Sequence, residues 1–149
     1  MNKKIVIVYA STHHGNTYKV VKAISEQYHI EIIDATKQTI ADLQKYDIIG
    51  LASGIDFGKF YAAVEDFARE NLPNKKQVFF LYTCAMVRKG FTDSIREIVS
   101  QKEAMVLGEY GCKGYNTYGP WQIIGGMNKK HPTKEEIALA VKFVGDLLL

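Results

Sequence analysis

The stretch Ile5-Val6-Ile7-Val8-Tyr9-Ala10-Ser11-Thr12-His13-His14-Gly15-Asn16-Thr17 decides the architecture of this chain. Its first half is an apolar run, the pattern of a strand buried on both faces. Its second half is a loop of hydroxyls with one glycine and one asparagine. The run Tyr18 to Tyr28 then reads as a helix that begins at Thr17. A strand, a polar loop and a helix in that order build an anion site. The free N–H groups of the helix's first turn point at whatever sits in the loop, and the helix dipole favours negative charge there. Ser11, Thr12 and Thr17 add hydroxyl donors. No lysine stands inside the loop, which suits a single monoester phosphate held by neutral donors better than a triphosphate with its metal. The competing reading is a plain strand-to-helix turn capped by Asn16 or Thr17.

Two common phosphate motifs are missing. There is no G-x-x-x-x-G-K-[ST], which argues against a P-loop NTPase, and no G-x-G-x-x-G dinucleotide fingerprint. The 149 residues make one domain, 1–149, long enough for a real core, with 47% hydrophobic and 23% charged residues. No apolar run reaches the length of a membrane span, and Ile5 to Ala10 is too short for a signal-peptide core. A cytoplasmic location is the expectation. Cys84 and Cys112 make neither a disulfide framework nor a C-x-x-C pair. The net charge of +3 is spread over isolated pairs such as Lys3-Lys4, Lys75-Lys76 and Lys129-Lys130, with no stripe for nucleic acid. His13 and His14 are adjacent, so their side chains diverge; His29 and His131 lie far off, and no metal site is indicated.

Apolar runs and helical patterns alternate to the end of the chain. Strands are expected at Lys4 to Ala10, Ile30 to Asp34, Tyr46 to Ser53, Gln77 to Thr83 and Ala104 to Tyr110. Helices are expected from Thr17, over Thr39 to Gln44, Tyr61 to Leu72 and Phe91 to Gln101, and after Thr133. There Glu136 completes a capping box, and Ile137, Val141, Val144 and Leu148 form the buried stripe. Five strands alternating with helices predict an α/β fold, a parallel sheet covered on both faces. Ligands of such sheets bind outside the carboxyl ends of the strands, where the loop after the first strand lies.

Thr12-His13-His14-Gly15-Asn16-Thr17, with Ser11 before it, resembles the FMN-phosphate loop of flavodoxins: a Ser or Thr, two variable residues, then Gly-Asn-Thr. The resemblance runs over essentially the whole chain. It implies a flavodoxin-like three-layer sandwich with strand order 2-1-3-4-5, and non-covalent FMN as the cofactor. It implies cofactor-binding roles for Ser11, Thr12, His13, His14, Gly15, Asn16 and Thr17. The loop Gly54-Ile55-Asp56-Phe57-Gly58-Lys59-Phe60-Tyr61 resembles the flavodoxin segment that meets the N5 edge of the ring, which assigns Gly54, Ile55, Asp56, Phe57 and Gly58 to the site. By family position, Thr83, Cys84 and Ala85 meet the pyrimidine end. Flavodoxins usually place an aromatic residue in that second loop, often among acidic ones; Thr83 to Gly90 has neither, and offers Arg88 and Lys89 instead. Cys84 reads either as a small buried hydrophobe or as a reactive thiol.

The long segment from Gly111 to Pro132 holds the single Trp, and loops of that length in compact domains are usually functional. Tyr118-Gly119-Pro120 and Gly125-Gly126-x-x-x-x-His131-Pro132 resemble elements of short bacterial flavodoxin-domain proteins, which implies a bacterial source and a flap over the flavin edge or a partner surface. Two functions follow from the resemblance. One is an electron carrier between redox partner proteins, against which stands the missing acidic surface. The other is a flavin-dependent oxidoreductase on a small redox substrate, similar to the flavodoxin-like protoporphyrinogen dehydrogenase or to a quinone reductase. A monomer or weak dimer is expected in either case.

Overall fold

Alternation along the strands sorts the core into two layers. On β1 (Ile5–Ala10), Val6, Val8 and Ala10 pack on one face and Ile7 and Tyr9 on the other. On β5 (Gln77–Cys84), Phe80 and Tyr82 join the first layer, and Phe79 and Leu81 the second. A strand buried on both sides needs apolar residues at every position, which is why these segments read as unbroken apolar runs. The computed structural model describes residues 3–12, 14–115 and 128–149. His13 and the segment 116–127, part of the expected phosphate loop and flap, lie outside the described residues.

The remaining strands are β2 (Glu31–Asp34), β3 (Ile48–Asp56), β4 (Lys59–Phe60) and β6 (Met105–Lys113). The hydrogen-bonded path is β2-β1-β3-β5-β6, parallel at every junction. Counted over the parallel strands alone, this is the order 2-1-3-4-5. Helices α2 (Ala62–Asn71) and α3 (Asp93–Ser100) cover the first layer through Val64, Phe67, Ile95 and Val99. Helices α1 (Asn16–Tyr28) and α4 (Lys134–Leu147) cover the second through Val20, Val21, Ile24, Ala140 and Val144. Ile137, Val141 and Leu148 of the expected stripe pack at the margin of that layer. Each large side chain fully removed from water contributes ~1.5–3 kcal/mol, so these two layers are the main source of stability.

Two local expectations are corrected. Thr39 to Gln44 is not helical. The Asn71 side chain accepts from Ala41 N–H at 3.0 Å and donates to the Thr39 carbonyl at 2.9 Å. These bonds satisfy from outside the backbone groups that a helix would have satisfied from within. Ile40 stands 78% exposed while Leu43 is buried, a pattern that anchors one residue rather than a helical face. The segment after Ser53 is also not a plain loop. β3 runs on to Asp56 and turns back antiparallel as β4, pairing Ile55 with Phe60 and Asp56 with Lys59. Phe57 and Gly58 form the two-residue turn, with φ +52° and +78°. Positive φ at both central positions is the hairpin turn whose twist matches its strands.

Candidate functional site

The loops that leave the carboxyl ends of β1, β3, β5 and β6 converge on a cleft of about 400 Å³. Its polar end is the start of α1. Gly15 is the N-cap, at φ +66°, with no side-chain cap of its own. The first helical bond runs from Lys19 N–H to the Gly15 carbonyl at 3.0 Å. Ser11 supplies the side-chain bond to this turn, its Oγ accepting from Tyr18 N–H at 3.0 Å. The expected alternative, a cap by Asn16 or Thr17, is therefore not the arrangement found. The N–H groups of Asn16 and Thr17 have no helical acceptor behind them, and both residues line the cleft. This is the polarity an anion requires.

Asn16 and Thr17 have second tasks. The buried Thr17 hydroxyl meets that of Thr83 at 2.8 Å, joining the α1 loop to the end of β5. Asn16 grips the backbone of Tyr115 on both sides. Its Nδ2 donates to the Tyr115 carbonyl at 2.8 Å and its Oδ1 accepts from Tyr115 N–H at 3.1 Å. Gly114 N–H donates to the Cys84 carbonyl at 2.8 Å. The chain leaving β6 is thus pinned across the cleft. The His14 ring stacks on Tyr115, with centroids 4.0 Å apart.

Away from α1 the walls are apolar and edged by glycine. Gly54, Ile55, Phe57 and Gly58 come from the β3–β4 hairpin, with Tyr61 behind them. Ser53 Oγ accepts from Tyr61 N–H at 2.8 Å and holds the end of the hairpin. Phe57 is 95% exposed, whereas Phe60 is core. Thr83, Cys84, Ala85, Met86 and Phe91 form the opposite side. Burial pushes the Cys84 and Cys112 thiols up, each to about 12, so both stay protonated and unreactive near neutral pH. Cys84 is the small buried hydrophobe of the two readings. Arg88 is the single charged side chain lining the cleft among the described residues.

Of the residues expected from sequence, Ser11, Thr12, Asn16, Thr17, Gly54, Ile55, Phe57, Gly58, Thr83, Cys84 and Ala85 are brought together here. His14, Gly15 and Asp56 sit on the same loops without lining the cleft. Tyr61, Met86, Arg88, Phe91, Gly114 and Tyr115 line it as well. For Gly114 a sequence signal existed, the Lys113-Gly114-Tyr115 exit from an apolar strand; its partner Asn16, 99 residues before Tyr115, had none.

Beyond the cleft, Glu136 ties the two ends of the crossing segment. It completes the expected capping box with Thr133, pairs with His131 Nδ1 at 2.5 Å, and accepts from Lys113 N–H at 3.3 Å. Burial pushes its carboxyl up. The Thr133 N–H, the His131 ring and the Lys113 N–H outweigh that, and the net value lies below the ordinary 4.5. A depressed folded value means that Glu136 stabilises fully above pH 4.5 and loses that contribution as pH falls below it. Glu136→Gln is expected to flatten the fall in the urea midpoint below that pH while lowering the midpoint at pH 7; an unchanged acid limb would remove Glu136 from this role.

The described residues contain no helix long and apolar enough to cross a membrane. The model of the flavodoxin domain family matches residues 6–118. An uncharacterised protein of the archaeon Methanocaldococcus jannaschii is 34% identical over 147 residues, covering 97% of this chain and 98% of that one. A structure of a flavodoxin from the domain Archaea superposes with TM-score 0.69 at 17% identity, covering 97% of this chain and 96% of that one. A flavoprotein from Lactobacillus acidophilus, solved in complex with FMN, superposes with TM-score 0.57 at 16% identity, over 74% and 93% of the two chains. With its parallel strand order and these matches along its length, the chain belongs to the flavodoxin domain family.

Proposed function

We propose that this chain binds FMN non-covalently in the cleft and carries electrons between partner proteins. The observation that supports this most is the pairing of two unlike ends in one cleft. A helix start with outward N–H groups and hydroxyls stands at one end, and an apolar slot edged by Gly54 and Gly58 at the other. A phosphate ester of a flat, largely apolar ring needs both. Ser11, Thr12, Thr17 and the N–H groups of Asn16 and Thr17 would hold the phosphate. Gly54 to Gly58 and Thr83 to Ala85 would flank the ring. FMN supplies the redox chemistry; the chain orients it, excludes water from one side of it and sets the charge around it.

The second reading is a flavin-dependent oxidoreductase acting on a small acidic substrate. It draws on the same cleft and is favoured by Arg88, a cation on the loop where flavodoxins usually place an aromatic residue. Absorption spectra before and after adding FMN and removing the excess test the common core of both. Flavin bands that stay with the protein are the expected result. Spectra free of flavin, with riboflavin and FAD also tried, would overturn it. Anaerobic titration with reductant then separates the two: electrons taken up one at a time favour carriage, and uptake only in pairs favours the enzyme.

A further inference from the structure

Apolar side chains are exposed on the rim of the cleft. Phe57 is 95% exposed, and Met86 and Val87 are each 48% exposed. Phe57 stands at the hairpin tip at φ +52°, a costly backbone for a bulky residue. Phe57 and Met86 line the same cleft from opposite loops. Exposed apolar groups clustered at one opening mark a surface that is covered by something else.

The charge around them is predominantly positive. Arg88 and Lys89 follow Val87 directly, and both are exposed. Asn128 Nδ2 donates to the Ala85 carbonyl at 2.6 Å, which fixes exposed Lys129 and Lys130 beside that loop. Lys113, also exposed, ends β6 next to Cys84. Among the described residues none of these five cations has a carboxylate within ion-pair distance. Three carboxylates lie nearby: exposed Asp56 on the hairpin, in register with Lys59, whose ammonium pairs with Glu65; Asp93 beside Gly90; and Glu136, which accepts from Lys113 N–H. The segment 116–127 contains no charged residue, so it leaves the sign of this region unchanged.

We infer that this rim is a docking face for a small acidic electron-transfer protein, with Phe57, Met86 and Val87 as the apolar centre and Arg88, Lys89, Lys113, Lys129 and Lys130 as the steering ring. The inference rests on the redox reading above and names the partner's chemistry. A cationic ring speeds encounter with an anionic face and rejects a cationic one, while the apolar centre supplies contact once the two meet. An acidic carrier is selected over a basic one by the same charges.

The test is an amide NMR titration of the purified full chain, with and without FMN, using zinc-substituted rubredoxin as an acidic probe and reduced cytochrome c as a basic one. Rubredoxin is expected to shift residues 57–58, 86–89 and 128–130. The affinity should fall steeply as salt rises from roughly 0.01 to 0.15 M, where the Debye length shrinks from about 30 to 8 Å. The triple variant Lys89→Glu, Lys129→Glu, Lys130→Glu is expected to weaken it at least about tenfold while the chain keeps its circular dichroism. Shifts that map elsewhere, an affinity indifferent to salt or to the triple variant, or equal binding of cytochrome c would each overturn the docking face. So would tighter binding of a short RNA oligonucleotide, which would make the rim a general polyanion site. Rubredoxin shifts in a protein that retains no flavin would uphold the face and overturn the redox reading instead.

Discussion

Phe60→Ala is expected to lower the unfolding free energy by about 3–5 kcal/mol, the usual cost of emptying a buried phenylalanine site. Phe60 is fully buried on β4 and meets Phe80 edge-on at 6.1 Å and Tyr82 at 6.4 Å. β4 has only Lys59 and Phe60, so this ring is the fully buried side chain that seats the hairpin on the core, beside the partly buried Ile55 of β3. The hairpin in turn carries Ile55, Phe57 and Gly58 to the cleft. One truncation should therefore lower both the urea midpoint and the affinity for FMN. Phe57→Ala is the control: its side chain lies in solvent, and its removal should leave the unfolding free energy within ~0.5 kcal/mol of the parent. Equal midpoints for Phe60→Ala and the parent would mean that the hairpin is held by its backbone pairing alone.

The second large effect is expected at Gly114. A Cβ there would stand 2.6 Å from Asn16 Nδ2 and 2.9 Å from Asn16 Cβ. The second distance reaches the root of the side chain, which cannot swing away. Gly114→Val should cost about 1–3 kcal/mol from crowding. Loss of the paired Asn16–Tyr115 bonds should add ~1 kcal/mol for each. Combining it with Asn16→Ala should restore part of the loss, because the two share one space. Additive losses in that double-variant cycle would show that the crowding lies elsewhere. Hydrogen exchange at Tyr115 N–H, the donor to Asn16 Oδ1, reads the same clamp directly.

These two sites also show what the sequence could and could not tell. The central strands were legible because burial on both faces demands apolar residues through the middle of β1, β3 and β5. The step from β1 to α1 was legible because the apolar run ends at Ala10 and helical spacing begins at Thr17. The Thr133–Glu136 capping box was legible because both partners lie within one turn. Thr39 to Gln44 was misread, since the bonds that replace a helix come from Asn71, more than two dozen residues away. The hairpin at Phe57-Gly58 was missed because its first turn residue is a phenylalanine, where asparagine or aspartate is the usual signal. Asn16 carried its family position in plain view, yet its grip on Tyr115 depends on how β6 exits the sheet. Periodicity along one segment holds no information about that.

The grip between Asn16 and Tyr115 joins residues 99 apart in the chain. During synthesis the loop between β1 and α1 emerges early, but the strap across its cleft is made only after β6 has been translated and added to the sheet. A shorter nascent chain thus has a loop without its far wall. Closing so long a loop is slow compared with forming β1 and α1 alone. The cleft is therefore complete only at the last step of assembly.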